Sequence, residues 1–110
     1  MVTLRRLQKE SREWTDKNFG EHPAWHPLLG LVEEVGELSH AHLKSEQGIR
    51  GSKDEHRLAK IDAVGDIVIY LADYCNQIGI DFEASVDETW RKVSKRDWNK
   101  DKEFGGEEPV

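Results

Sequence analysis

"DAVGDIVIYLADYC", residues 62–75, holds the one β-branched run in the chain, and its reading decides the fold. In isolation "DIVIYL" suits a short buried strand. Its surroundings do not. At about 100° per residue, Val64, Ile67, Val68, Leu71, Cys75 and Ile78 fall on one arc. Asp62, Asp66 and Asp73 fall opposite, within about 40° of one another. The run is therefore part of a long helix that starts near Ser52 to Asp54 and reaches about Gln77, with Gly79 as its stop. From Ile67 to Cys75 this helix is apolar nearly all round, since Ile69 lies beside the acids and Tyr70 flanks them. A helix of that kind is covered on more than one side.

Working outward, three more helices are expected. One runs from about Thr3, a suitable N-cap, to Asn18, with Leu4, Leu7 and Trp14 as its inner stripe. "FGEHPAWHP" breaks it, and Gly20, Pro23 and Pro27 punctuate the break. The next runs from Pro27, suited to a first turn, to Gln47 before Gly48. The last starts at the N-cap Asp81 and continues to Trp98, with Phe82, Val86, Trp90 and Val93 at helical spacing. Residues 1–98 read as a single all-α domain, and 99–110 as a polar, Gly-rich tail expected to fray. The fold class expected is a four-helix protomer.

The chain has 110 residues, 36% hydrophobic and 35% charged, with a formal net charge of −6. A domain of this size buries a modest core. Broad apolar arcs on two helices then ask for a partner surface, so a homo-oligomer is expected. The negative charge argues against binding a nucleic acid polymer, which rests on a basic surface. No run approaches the roughly 18 apolar residues that a membrane span needs. The N-terminus lacks the apolar segment of a signal peptide, so a cytoplasmic protein is expected. Cys75 stands alone and reads as a buried small hydrophobe.

The second helix carries "GLVEEVGELSHAHLK", residues 30–44. With Glu33 at zero, Glu34 falls at about 100° and Glu37 at about 40°, so the three acids share one face. Leu31, Val32, Val35 and Leu38 fall opposite. Two acidic helix faces are most simply solvated surfaces. A solvated face usually mixes Lys with Glu, however, and no Lys or Arg occurs between Gly30 and Leu43. Unpaired acids on covered helices need a counter-charge, or their pKa values rise. Mg2+, which takes a few carboxylates plus substrate phosphates, is the economical counter-charge.

Together, "EEVGE" (Glu33, Glu34, Glu37) and, after a loop, "DAVGDIVIYL" (Asp62, Asp66) resemble the MazG-type nucleotide pyrophosphohydrolases of the all-α NTP pyrophosphatase superfamily. The resemblance continues through "GIDFEASVDETWRKVSKRDW" and covers roughly Trp25 to Trp98. The family signature is EExxE, a variable spacer, then ExxD. The Glu of ExxD would fall at position 63, which is Ala63 here, and this leaves Asp62 as the candidate for the missing carboxylate. The resemblance implies hydrolysis of an NTP or dNTP to the monophosphate and pyrophosphate, in nucleotide-pool house-cleaning. It implies Mg2+, with Mn2+ able to substitute, and a homodimer or homotetramer. Glu34, Glu37 and Asp66 are the expected metal ligands with Asp62 as a fourth. Glu33 is expected to ligate a further metal or orient the attacking water.

Lys92, Lys95 and Arg96 share a face of the last helix, either as a solvated basic face or as phosphate contacts, which the resemblance favours. Trp25, in a Pro-flanked loop, is a candidate to stack on a base, and Tyr70 to touch sugar or base. Trp14 and Trp90 read as core. His22, His26, His42 and His56 read as loop or surface residues. Glu37 and His40 form one Glu-x-x-His unit, whereas a di-iron bundle needs two. A catalytically weakened helical module that binds nucleotide or protein is the alternative function, with Ala63 as its support. A purely structural helical oligomer is a further rival.

Overall fold

The computed structural model describes residues 1–101, which form five helices and no strand. They are α1 (Leu4–Phe19), α2 (Trp25–Gln47), α3 (Lys53–Ile78), α4 (Phe82–Val93) and α5 (Trp98–Asp101). "DIVIYL" lies in the middle of α3. The polar tail read at 99–110 lies, from residue 102 onward, outside the described residues. No helix among the described residues is long and apolar enough to cross a membrane.

Local chemistry sets the helix ends. Thr3 Oγ1 accepts from the Arg6 amide at 3.1 Å, and Asp81 Oδ1 from the Ala84 amide at 3.0 Å. Ser52 and Glu55 form a reciprocal capping box, with bonds of 3.1 and 3.2 Å. Gly79 closes α3 with φ 72°, a left-handed turn that a Cβ would strain. Two ends differ from the sequence reading. α2 starts at Trp25, so Pro27 takes the third helical position, still within the turn whose amides lack helical partners. Its ring is fully buried. The last helix stops at Val93 rather than Trp98. There the Lys95 and Arg96 amides bond to the Lys92 and Val93 carbonyls, three residues back, tightening the turn. Asp97 then accepts from the Asn99 amide at 3.0 Å and starts α5 separately.

α3 is the spine. α1 runs antiparallel to its C-terminal half, and α2 antiparallel along its length. The N-terminal end of α1 is clamped to the α3–α4 turn by Gln8. Its amide donates to Ile80 O at 2.7 Å and accepts from the Phe82 amide at 2.9 Å. Asn76 donates to Gln8 O at 2.9 Å, and Arg12 to Asn76 O at 3.2 Å. Beneath this clamp Ala72, Cys75 and Phe82 are buried against Leu4, Leu7, Val68 and Leu71. Burial raises the Cys75 thiol pKa, and Asp81 adds to the shift. Ala41 and Ala63 are the buried small residues of α2 and α3 farther along. α1 and α2 each pack on α3 but not on each other, so a groove opens between them with α3 as its floor.

The chain is open. Its radius of gyration is 17.4 Å, against about 13 Å for a compact chain of this length. Val32, Val35, Leu58, Ile61 and Val64 are exposed along the α2–α3 hairpin. α4 buries Phe82 but leaves Val86, Trp90 and Val93 exposed, so the Trp90 stripe is not core in this protomer. The reason is that α4 is anchored at its first turn only, against α1 and the end of α3.

Ala72 is wholly buried where α1 crosses α3. Ala72→Leu should overpack this crossing and cost about 1–3 kcal/mol. The measurement is the urea midpoint, which should fall at unchanged slope. An unchanged midpoint would show that the crossing has room to spare.

Candidate functional site

The groove has a volume of about 740 Å3, within the range of pockets that hold small ligands. α1 contributes Trp14, Thr15 and Phe19 to it, and α2 contributes Pro27 and Glu34. α3 contributes Asp66, Ile69, Tyr70 and Asp73. Helical periodicity produces this: Asp66, Ile69, Tyr70 and Asp73 follow i, i+3, i+4, i+7 along one face.

At one end Glu34 and Asp66 face the groove. Glu34 Oε2 is buried with no hydrogen-bond partner. Burial raises the Glu34 pKa first, the like charges of Glu37 and Asp66 push it further, and a side-chain hydrogen bond with Glu37 and the charge of Glu33 add to the shift. Tyr70 stands beside them. Burial raises its phenol pKa, and Glu34, Glu33, Asp66 and Glu37 add to the shift. Its ring lies against the backbone of Gly30, one turn before Glu34. A Cβ at position 30 would collide with that ring, so only glycine admits it there.

The predicted site residues divide. Glu37, Asp66 and Glu33 each act electrostatically on Glu34. Glu33 and Glu37 are exposed and do not line the groove. Asp62 is exposed and lies outside the groove lining, while Ala63 is 3% exposed and carries no donor. Tyr70 lines the groove. Trp25 does not: it is exposed and meets His26 edge-on, with centroids 4.2 Å apart. Lys92 and Lys95 are exposed near the end of α4 and Arg96 is half-buried just beyond. None of the three lines the groove of this protomer.

Three features were not read from the sequence. Trp14, expected in the core, is 54% exposed and forms a groove wall with Phe19, edge-to-face at 5.6 Å. His56, expected at the surface, is buried at 7% exposure. His22 is not a surface residue either. Its Nε2 lies 2.8 and 2.9 Å from the two Asp73 oxygens, and its Nδ1 lies 3.0 Å from the Gly20 carbonyl. Nδ1 thus faces the Gly20 carbonyl and Nε2 the Asp73 oxygens, with the Gln77 amide nitrogen also 3.1 Å from Nε2. The Gly20 carbonyl raises the His22 pKa most, burial opposes it, and Asp73 and then Asp16 raise it further. The Asp73 position was legible, seven residues from Asp66. Its partner, in an irregular loop, carried no periodic signal.

Among the described residues no three His, Cys, Asp or Glu side chains converge closely enough to enclose a metal ion as they stand. The donor chemistry nonetheless suits a hard divalent cation. It consists of carboxylate oxygens on two facing helices, one of them buried and unpartnered amid like charges.

A raised carboxylate pKa has a thermodynamic sign. Its stabilising share is complete below the unfolded-state pKa and is lost as pH rises through the folded value. Without divalent ions, Glu34→Gln should therefore melt above the wild type at pH 7, with the difference shrinking toward pH 4. Thermal denaturation across that range checks this. A variant that melts lower throughout would refute the repulsion.

The chain matches no protein-family model, no curated protein and no solved structure.

Proposed function

We propose that the protein is a Mg2+-dependent nucleoside triphosphate pyrophosphohydrolase of the MazG type, working as a homodimer. The observation that carries the reading is Glu34 Oε2, buried and unpartnered among Glu37, Asp66 and Glu33 at the edge of the groove. Natural folds rarely leave a buried carboxylate oxygen without a partner, and such exceptions mark ion or catalytic sites.

Glu34, Glu37 and Asp66 would hold the cation, with Asp62 as a fourth donor after a side-chain rotation toward the groove. The chemistry a divalent cation supplies when bound is neutralisation of phosphate charge and activation of water. The chain does the rest. Trp14, Phe19 and Ile69 shape an apolar wall that orients the nucleoside and excludes water from it. Tyr70, held on Gly30, offers a phenol O–H beside the acids. Glu33, exposed beside the groove, would turn toward it and either ligate a further metal or orient the water whose oxygen adds to the α-phosphorus, that water's proton passing to solvent. The bond from that phosphorus to the bridging oxygen breaks, and pyrophosphate leaves. Positioning and electrostatics carry such transfers.

The dimer is supported by the exposed apolar stripe on the α2–α3 hairpin and by the open shape. A second copy laid on that hairpin would cover Val32, Val35, Ile61 and Val64.

One observation favours a second reading, a module that binds nucleotides without turnover. Ala63 brings no carboxylate, and Asp62 stands outside the groove lining.

Pyrophosphate release from a panel of NTPs and dNTPs with Mg2+ separates the two. Turnover is expected, and Glu37→Ala and Asp66→Ala should each lower it by about 100-fold, the scale of losing a metal-holding contact. Measurable binding with no turnover of any nucleotide would favour the second reading. Full activity in both variants would sink the ligand assignment. Light scattering should give a mass twice the 12.7 kDa of the chain. A monomer at micromolar concentration would refute the dimer.

A further inference from the structure

Asp73 is a buried carboxylate for which the proposed hydrolysis has no use. It is 7% exposed, yet it borders the groove. It lies two turns along α3 from Asp66, about 10 Å away on the same face. Ile69 and Tyr70 lie between them, and Trp14 and Phe19 wall the space alongside. One groove thus has an acid cluster at one end, an aromatic wall, and a single fixed carboxylate farther in. That order matches a nucleotide's own sequence of phosphate, sugar and base.

The partners of Asp73 fix what it can still do. Oδ1 accepts from His22 Nε2 at 2.8 Å and from Gln77 Nε2 at 3.1 Å. Oδ2 accepts from His22 Nε2 at 2.9 Å and from no other described group. A carboxylate offers about four acceptor sites, so Oδ2 retains capacity. His22 is held in turn through Nδ1 by the Gly20 carbonyl at 3.0 Å, and this prevents the carboxylate from swinging. His22 also borders a smaller polar cavity, of about 410 Å3, with Arg12 and Asp16, so the pair is a partition rather than a sealed core contact. Pinning the loop to α3 accounts for His22. It does not account for an acceptor-only group at the groove wall.

We infer that Asp73 reads the nucleobase, and that the groove selects bases carrying an exocyclic amine over uracil and thymine. Adenine, cytosine and guanine each present an amino N–H that Oδ2 can accept. Uracil and thymine present one ring N–H flanked by two carbonyl oxygens, and bringing it to Asp73 sets those oxygens against the carboxylate. A rigid, buried, acceptor-only group discriminates strongly, because the wrong partner leaves its charge unmatched.

The inference rests on the nucleotide reading of the groove, and the test keeps the two apart. ATP, GTP, CTP, UTP and TTP with Mg2+ are titrated into the full chain, with binding followed by Trp fluorescence and calorimetry. Pyrophosphate release gives kcat and KM for each. The amino-bearing bases should bind at least about tenfold tighter than UTP and TTP, the scale of one directed base contact. The difference should appear in KM rather than kcat. Asp73→Asn, which adds an N–H donor, should narrow or invert the preference. Gln77→Leu removes an Oδ1 contact but leaves the His22–Oδ2 contact in place, and should preserve it. Equal affinity for all five nucleotides in the wild type would overturn the role of Asp73 and leave the nucleotide reading intact. Binding of none would overturn both. Should Asp73→Asn fail to fold, the wild-type panel still decides.

Discussion

α3 is packed by two different helices on two different faces, and the rest of the molecule follows from that constraint. Its C-terminal half buries Ala72 and Cys75 beneath α1, while Ala63 is buried farther back along the length that α2 follows. Small residues let backbones approach closely, so neither neighbour is held far off the spine. Because α1 and α2 do not pack on each other, the strip of α3 between them stays open. Asp66, Ile69, Tyr70 and Asp73 occupy that strip. The groove is thus the strip of α3 left between two neighbours that do not meet.

The two carboxylates that meet the groove under partial burial show opposite solutions to one electrostatic problem. Asp73 is matched by the His22 imidazole, whose second nitrogen is also satisfied. Glu34 keeps one buried oxygen without a partner and is crowded by charges of its own sign. Paired burial makes a rigid wall. Unpaired burial stores an unfavourable interaction that a cation relieves, which is why the proposed chemistry is assigned to the Glu34 end.

The fold was largely legible. Periodicity of 3.6 in "DAVGDIVIYLADYC" overrode its β-branched composition, and caps at Thr3, Ser52 and Asp81 marked the starts. Spacing placed Glu33, Glu34 and Glu37 on one face of α2 and Asp66 on the acidic face of α3. Other features needed tertiary information. A periodic stripe says which residues share a face but not whether anything covers it, so spacing alone reads Trp14 and Trp90 as core. The Ser94 hydroxyl donates to the Arg91 carbonyl and Asp97 accepts from the Asn99 amide, local bonds at the split of the last helix that apolar spacing does not register. The His22–Asp73 pair joins an irregular loop to α3 across 51 positions, beyond the reach of any local pattern.

The Tyr70 ring seated on Gly30 has a geometric consequence for the two acid-bearing helices. Gly30 lies one turn from Glu34, and Tyr70 lies one turn from Asp66. The flat ring acts as a spacer between α2 and α3 beside the acids, and its thickness gauges the gap that Glu34 and Asp66 face across. Flexible aliphatic chains at the same place would leave that gap compressible. An aromatic plane against bare backbone gives it a fixed width, so the aperture between the carboxylates is set by a rigid shim rather than by the charges themselves.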